Sequence, residues 1–285
     1  MGDAGNNAEL PELLAALQTG PRTAHESMGE RPGENAKPMI SFRHVSIWFG
    51  EKRVLDDVSF TVERGETLCI LGRSGVGKSV SLRILMGFLK PQVGSIHVNG
   101  TEINGLSEEG MQEVRKHITM VFQNGALFDS LTVRENVAFP LRERGGLDED
   151  QVQQIVDRLI RMVGAEDVAE MLPASLSTGR RRAVAIARAL ASQPEVVLYD
   201  EPTTMVDPLI ARRLGDLIQR LKRQLGFTSI VVTHDMRIAE RLADKVLFLH
   251  ESKGRFYGPL AGFLNSQDPY IQEFLRLDAY RLPTT

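Results

Sequence analysis

The sequence has a single cysteine, no long apolar run and little net charge. Cys69 is the only cysteine in 285 residues, so no disulfide framework is expected within the chain, which fits a reducing cytosol. A lone cysteine in a predicted strand is expected to be a small core residue. The longest apolar runs are strand-sized, far short of the roughly 20 residues that a membrane span requires. The acidic, polar N-terminus has none of the features of a secretory signal.

Charge and composition further restrict the class of protein to which this chain can belong. A net charge of −3 gives no overall basic field, so nucleic acid is not an expected partner. Hydrophobic residues make up 42% of the chain, enough for the core of one large or two small domains. Residues 1–38 are rich in Gly, Asn, Glu and Pro and are predicted to form a disordered arm. Met1-Gly2 begins like a myristoylation site, but Asn6 stands where Ser or Thr is required.

One stretch, from Gly72 to Ser79, fits the phosphate-binding pattern G-x-x-x-x-G-K-[ST] without a mismatch. A short apolar segment before it predicts a buried strand, and Val80 to Phe88 after it predicts a helix. A glycine-rich turn that matches by chance would lack these flanks. Such loops cradle phosphate oxygens with backbone N–H groups, and the helix N-terminus attracts the same anion. Lys78 should reach the β- and γ-phosphates, and Ser79 should hold Mg²⁺. The expected nucleotide contacts in this loop are Gly72, Ser74, Gly75, Gly77, Lys78, Ser79 and Val80.

Two acids end another apolar strand, Glu195 to Glu201. A carboxylate at the end of a strand beside a phosphate-binding loop is suited to hold Mg²⁺ through water, and that residue is Asp200. The next residue, Glu201, can polarise an attacking water as general base. Paired acids after a strand can also cap a helix. Here Pro202-Thr203-Thr204 follows rather than a helix, which argues against a capping role.

Two further polar residues follow predicted core strands. Gln123 follows Ile118 to Phe122, and His234 follows Ser229 to Thr233. Doubly wound sheets place ligand groups at the carboxyl ends of their strands. His234 is therefore expected to contact a γ-phosphate. Gln123 could orient a water or touch Mg²⁺, but a solvated loop glutamine looks the same in sequence.

The sequence predicts strands and turns at both the start and the end of the folded part. Ile40 to Ile47 and Val54 to Val62 are predicted antiparallel strands, and Gly94 to Gly100 a strand with a tight turn. Between the first two strands, Phe49 precedes a glycine and could either stack on a purine or pack on the sheet. Near the end, Lys245 to His250 is predicted to close the sheet. The sequence predicts a polar hairpin turn at residues 251–258 and one or two short helices from residue 259 onward.

Between these parts the pattern is helical. Ser130 to about Met171 carries periodic apolar residues with many charges, which predicts a helical subdomain inserted into an α/β core. Ser177 is a plausible N-cap for a helix over Arg180 to Ala191. The arginines at 180–182 conflict with the helix dipole. Either a nearby anion compensates them or they form a solvated basic face.

The order and spacing of these motifs resemble the ATP-binding-cassette (ABC) ATPases. The resemblance covers roughly residues 39–258. It implies a P-loop NTPase fold with an antiparallel β subdomain, a helical subdomain at about 130–190 and a C-terminal helical extension at 259–285. It implies ATP and Mg²⁺ as cofactors and makes Phe49 the adenine-stacking aromatic. The remaining motifs are then the P-loop as Walker A, Gln123 as Q-loop, Leu176-Ser177-Thr178-Gly179 as signature, Asp200-Glu201 as Walker B with its catalytic glutamate, Val206-Asp207 as D-loop and His234 as H-loop.

By the same resemblance, two copies should sandwich two ATP molecules head to tail. Ser177 and Gly179 of each copy would then face the phosphates held by the other copy. The chain departs from the usual signature, Leu-Ser-Gly-Gly-Gln, at Thr178 and Arg180. The arginine usual later in that motif falls on Ala183, with Arg182 beside it.

Three segments are similar to the ATPase subunit of MCE-type lipid transporters, the Mla family. They are residues 121–129, 135–143 and 268–275. This similarity implies a peripheral protein on the cytoplasmic face of the inner membrane. The implied partners are permease subunits, an MCE-domain protein and a small STAS-domain subunit.

Four rival functions are weighed against a lipid transporter. One is the ATPase of an importer for a polar solute such as an amino acid. A soluble ABC protein acting on ribosomes or DNA usually carries two cassettes or a long coiled coil, and neither is seen here. The presence of both Glu201 and His234 argues against a regulator that cannot hydrolyse nucleotide. A GTPase is disfavoured because no Asn-Lys-x-Asp guanine reader occurs.

Overall fold

The structure is a computed structural model, and it describes residues 37–279. The predicted disordered arm therefore lies outside the described residues, except for Lys37 and Pro38. The strands are β1 (Ile40–Phe49), β2 (Lys52–Val62), β3 (Thr67–Leu71), β4 (Val93–Val98), β5 (Thr101–Glu102), β6 (Ile118–Val121), β7 (Val196–Asp200), β8 (Thr228–Thr233), β9 (Lys245–His250) and β10 (Lys253–Pro259). The helices are α1 (Lys78–Leu85), α2 (Glu108–His117), α3 (Val133–Arg144), α4 (Glu149–Val163), α5 (Thr178–Ala191), α6 (Pro208–Leu225), α7 (Met236–Leu242), α8 (Leu260–Leu264) and α9 (Pro269–Ala279).

Six strands form the central sheet in the order β10-β9-β3-β8-β7-β6. All neighbouring pairs are parallel except β10 with β9. β3 and β8 are buried along their whole length, as expected for parallel strands covered on both faces. Because parallel strands end at the same edge of a sheet, the segments after β3, β6, β7 and β8 meet there.

Each face of this sheet packs against its own layer of the hydrophobic core. Alternate residues of β3 point to opposite sides, so Leu68 and Ile70 contact the layer formed with β1, β2, β4 and α1. Cys69 and Leu71 contact the layer formed with α3 to α7 and the C-terminal helices. Burial raises the pKa of the Cys69 thiol, which is therefore an inert core group, as the sequence predicts.

The first strands form a smaller antiparallel sheet in the order β2-β1-β4-β5. The strands predicted at the start of the folded part and at Gly94 to Gly100 are confirmed. The hydroxyl of Tyr257 on β10 donates to the carbonyl of Thr61 on β2 at 2.6 Å. This bond ties the smaller sheet to the edge of the central one.

The edge at β10 differs from the sequence prediction. The sequence predicts that Lys245–His250 closes the sheet and that residues 251–258 form a polar turn, and both predictions are wrong. β9 lies inside the sheet and β10 is its edge. The turn is confined to Glu251 and Ser252, which have φ values of 47° and 68°. β10 is mostly exposed, and an exposed edge strand has no need of the apolar pattern that marks an inner one.

The helices between β6 and β7 form a group of their own. α3, α4 and α5 pack against one another as the inserted helical subdomain. The first helix, α1, is shorter than predicted because Gly87, with φ 71°, turns the chain just after it. The C-terminal helices α8 and α9 dock on this core, and the Phe274 ring of α9 lies 5.2 Å from that of Phe248. No helix within residues 37–279 combines the length and the apolar character that crossing a membrane demands.

Candidate nucleotide site

The loop between β3 and α1 has a backbone that only glycine fits at two positions. Gly72 has φ 149°, and a Cβ on it would lie 2.5 Å from the carbonyl oxygen of Leu249. Gly77 has φ 107°, and its Cβ would lie 2.6 Å from the carbonyl oxygen of Val54. α1 begins directly after Gly77, and no side chain of the described chain caps it. The N-terminal amides of this helix therefore face the loop, as anion binding requires.

Lys78 is buried at the centre of this loop, with 4% of its surface exposed. Its Nζ donates to the carbonyls of Gly72 at 2.8 Å and Arg73 at 3.2 Å. The same Nζ lies 3.3 Å from Oε1 of Glu201. A buried ammonium held by carbonyls and one carboxylate presents a fixed positive charge to the loop.

The Ser79 hydroxyl at the start of α1 donates to Oδ1 of Asp200 at 2.6 Å. Burial raises the pKa of Asp200 and the neighbouring charge of Glu201 adds to this rise, although the bond from Ser79 opposes it. One hydroxyl and one carboxylate are hard oxygen ligands of the kind that Mg²⁺ prefers. Within residues 37–279 no group of three or more His, Cys, Asp or Glu could hold a metal alone. This donor set fits a cation shared with phosphate oxygens.

Glu201 is the centre of a second group of contacts. Its Oε2 accepts a hydrogen bond from Thr204 Oγ1 at 3.0 Å and lies 2.8 Å from Nδ1 of His234. The carboxylate is thus fixed from three sides by Lys78, Thr204 and His234. Glu201 also has φ 50°, a left-handed conformation that is costly for a residue with a side chain.

The contact between Glu201 and His234 favours an ionised carboxylate and a protonated imidazole. Burial raises the pKa of Glu201, but the hydrogen bond from His234 and the charge of Lys78 outweigh burial and leave that pKa below its usual value. The bond to Glu201 raises the pKa of His234 above 6.5, against the opposing effect of burial. Stability from the raised pKa of His234 is therefore fully present below about pH 6.5 and is lost as the pH rises through the folded-state pKa.

We expect the Glu201→Gln substitution to lower the pKa of His234. The amide keeps a hydrogen-bonding oxygen but loses the charge that stabilises the imidazolium. Titration of the ring nitrogens by NMR should give a midpoint above 6.5 in the native chain and a lower one in the variant. An unchanged His234 midpoint would contradict the assignment of this ion pair.

A cavity of about 610 Å³ opens at this edge of the sheet. It brings together most residues that the sequence places in the site: Ser74, Gly75, Gly77, Lys78, Ser79, Val80, Gln123, Glu201 and His234. Gly72 and Asp200 lie next to the cavity: the Gly72 carbonyl accepts a hydrogen bond from Lys78, and the Asp200 carboxylate accepts one from Ser79. The volume is typical of a small-molecule pocket.

Besides Gly72 and Asp200, four more predicted residues do not line this cavity. Phe49 ends β1 with half of its surface exposed. Ser177 caps α5 and accepts from the N–H of Arg180 at 3.4 Å. Gly179 lets α6 approach, since a Cβ there would lie 2.8 Å from the Ile210 side chain. Asp207 caps α6 through bonds to the N–H groups of Leu209 and Ile210, both at 3.0 Å. Ser177 and Gly179 line a separate cavity of about 450 Å³.

Sequence reasoning missed five residues that line the cavity: Val54, Arg73, Thr204, Phe274 and Leu277. Thr204 follows the paired acids, so its hydroxyl could have been foreseen as a partner of Glu201. Arg73 lies inside the P-loop, and its guanidinium pairs with Glu273 of α9 at 2.6 Å. No local pattern indicates that a helix some 200 positions away in the sequence would reach this loop.

The run of three arginines is not one solvated face. Arg180 pairs with Asp167, so an anion does compensate one of the charges. Arg181 donates to the carbonyl of Pro173 at 3.1 Å. Arg182 is buried and reaches the segment after β7.

The sheet order, the P-loop and the acids at the end of β7 define a P-loop nucleoside triphosphatase. A family model described as "ABC transporter" matches residues 55–204, and the chain belongs to this family. It is an ATPase that couples ATP hydrolysis to transport.

Three relatives illustrate the range of the family. The chain is 38% identical over 255 residues to the methionine import ATP-binding protein MetN of Brucella abortus, covering 89% of this chain and 69% of that one. It is 39% identical over 263 residues to the chloroplastic protein TRIGALACTOSYLDIACYLGLYCEROL 3 of Arabidopsis thaliana, covering 86% and 76%. It is 36% identical over 238 residues to the intermembrane phospholipid transport system ATP-binding protein MlaF of Haemophilus influenzae, covering 84% and 90%.

Among solved structures, the chain resembles the dimeric post-hydrolysis state of the ATP-binding cassette MJ0796 bound to ADP and Pi. The TM-score is 0.71 at 30% identity, and the match covers 78% of this chain and 99% of that chain. The predicted P-loop NTPase fold, with its antiparallel and helical subdomains, is confirmed.

Proposed function

We propose that this chain is the ATP-hydrolysing subunit of an MCE-type phospholipid transporter, bound to the cytoplasmic face of the inner membrane. One observation carries the lipid assignment. The segments 121–129 and 135–143, whose residues resemble the MCE-type ATPases, lie against each other in the fold. The rings of Phe128 and Phe139 are 4.7 Å apart. The resemblance in these two segments therefore falls on neighbouring parts of the surface.

Asn136 builds this surface from inside. It is fully buried, and its side chain bonds to the N–H and the carbonyl of Phe128 at 2.8 and 3.0 Å. It also donates to the carbonyls of Leu131 and Thr132. One asparagine thus fixes the loop after β6 on α3, where Phe128 and Phe139 are each roughly 40% exposed. An exposed aromatic patch of this kind suits the apolar side of a permease helix.

The names of two relatives support a lipid substrate. MlaF is named for phospholipid transport, and the Arabidopsis relative bears the name of a galactolipid. By the same likeness we propose permease subunits, an MCE-domain protein and a small STAS-domain subunit as partners. A second copy of the chain, as in the dimeric cassette structure, would bring its Ser177 and Gly179 to this P-loop.

The contacts support the following catalytic roles. Glu201 is the general base, since its carboxylate is ionised at neutral pH and is held in the cavity by Lys78 and His234. His234 holds that carboxylate and adds a positive charge toward the γ-phosphate. Lys78 and the loop amides bind the phosphates. Ser79, Asp200 and Gln123 would hold Mg²⁺, which neutralises phosphate charge when bound. Phe49 and Asp207 are proposed to contact the nucleotide from the adenine side and from the dimer interface.

One observation favours a second candidate. The likeness to MetN, named for methionine import, supports an importer ATPase for a polar solute such as an amino acid. The two candidates share the nucleotide site and differ in the membrane proteins that they bind. Purifying the tagged full-length chain from membranes and identifying its partners separates them. An MCE protein supports the first candidate, and a periplasmic solute receptor supports the second.

We expect Phe139→Ser to reduce the amount of permease that purifies with the chain by about tenfold or more, because aromatic anchors dominate such interfaces. Phe88→Ser is the matched control, since Phe88 is also an exposed phenylalanine but lies after α1. The control should retain the permease. Equal recovery with both variants would contradict the proposed docking surface.

A further inference from the structure

Arg182 contacts the segment that carries Glu201. It lies in the first turns of α5 and is only 7% exposed. Its Nη1 donates to the backbone carbonyls of Glu201 at 3.2 Å and of Pro202 at 2.8 Å. Its Nη2 donates to the carbonyl of Thr204 at 2.5 Å. One guanidinium thus binds three carbonyls of the four-residue segment 201–204.

This segment needs external support. Glu201 and Met205 both have left-handed φ values, 50° and 62°, which side-chain-bearing residues adopt at a cost. Such conformations persist only where the surroundings hold them. The amide of Glu201 is bonded to the carbonyl of Val232 on β8, which fixes the start of the segment. Arg182, on α5, holds the rest of the segment through its bonds to the carbonyls of Pro202 and Thr204.

We propose that Arg182 is a positioning residue for ATP hydrolysis, which holds the segment 201–204 so that the Glu201 carboxylate keeps its place beside Lys78 and His234. This inference rests on the proposed role of Glu201 as general base. Arg182 acts through backbone carbonyls and makes no bond to the carboxylate itself. It therefore sets the position of Glu201 without occupying its oxygens.

The contact also links two parts of the molecule. Ser177 caps the same helix, five positions before Arg182, and is exposed. In the proposed dimer this helix end approaches the phosphates held by the second copy. A displacement of α5 would pass to the Glu201 segment through the buried Arg182 side chain. In that dimer Arg182 would link the helix that approaches one nucleotide to the base that acts on the other.

The geometry requires arginine rather than any cation. The guanidinium is a planar fork with several N–H groups, and two of its nitrogens reach three acceptors here. A lysine has a single nitrogen on a flexible stem and cannot span the same carbonyls. Burial lowers the pKa of Arg182, in keeping with a charge solvated by protein carbonyls instead of water.

The test measures steady-state ATP hydrolysis and equilibrium ATP binding on the full-length chain with its membrane partners. Arg182→Gln should lower kcat by about 10²-fold, the cost of misplacing a catalytic group by roughly 1 Å. ATP affinity should stay within about threefold, because the P-loop is untouched. Arg181→Gln, which loses only the bond to Pro173, is the matched control and should keep kcat within about twofold.

Two further variants distinguish a loss of positioning from a loss of fold. Arg182→Lys keeps charge and bulk and should still lose most of kcat. In Arg182→Ala, added guanidinium ion should restore kcat severalfold and should leave Glu201→Gln unchanged. Native kcat in Arg182→Gln or Arg182→Lys, beside an inactive Glu201→Gln, would overturn the positioning role alone. Loss of ATP affinity in parallel with kcat, without rescue, would reduce Arg182 to a structural residue. An active Glu201→Gln would instead refute the proposed base.

Discussion

Glu201→Gln is expected to bind ATP with near-native affinity and to hydrolyse it about 10²- to 10⁴-fold more slowly, the usual contribution of a general base. Glutamine keeps the shape of the side chain and an oxygen for the Thr204 hydroxyl. It cannot accept a proton from water. Because the substitution removes a negative charge 3.3 Å from Lys78, it should not weaken phosphate binding.

The control for this variant is Glu109→Gln, on the exposed first turn of α2. It removes the same charge at a residue that does not line the cavity, and it should leave kcat unchanged. Phosphate release measured at saturating ATP gives kcat, and equilibrium dialysis with labelled ATP gives the affinity. Hydrolysis by Glu201→Gln within about threefold of the native rate would contradict the assigned role.

Lys78→Met is expected to lower the affinity for ATP by about 10²-fold or more. The ammonium is the buried positive charge of the loop, and a charge-assisted hydrogen bond contributes about 1.5–3 kcal/mol. Its loss also leaves the carbonyls of Gly72 and Arg73 without the donor that now binds them. The loop should therefore lose both its charge and part of its shape.

Lys90→Met is the matched control, because Lys90 is exposed and lies after α1. Its affinity for ATP should equal that of the native chain. Circular dichroism separates loss of binding from loss of fold. A folded Lys78→Met chain that binds ATP as tightly as the native chain would contradict the assignment of the phosphate site.

Local patterns predict most of the fold and of the phosphate side of the site. The P-loop needs only neighbouring residues, since its glycines, Lys78 and Ser79 all act within one strand-loop-helix unit. Asp200, Glu201 and His234 could be placed because each ends a buried strand, and parallel strands end together. The signal in each case is local, and the sheet brings the ends into contact.

The remainder depends on contacts between distant parts of the chain. β10 was not predicted because an exposed edge strand can be polar. Phe274 and Leu277 reach the cavity because α9 folds back on the sheet, which no periodicity indicates. Arg182 reads as part of a basic run, yet it is buried against backbone carbonyls. Such partners leave no trace in side-chain patterns.

The most direct test of the account is a structure of the Glu201→Gln chain with ATP and Mg²⁺. We predict a triphosphate lying along the backbone amides of Gly75 to Ser79, with Ser177 of a second copy against its γ-phosphate. A triphosphate bound away from these amides would contradict the account.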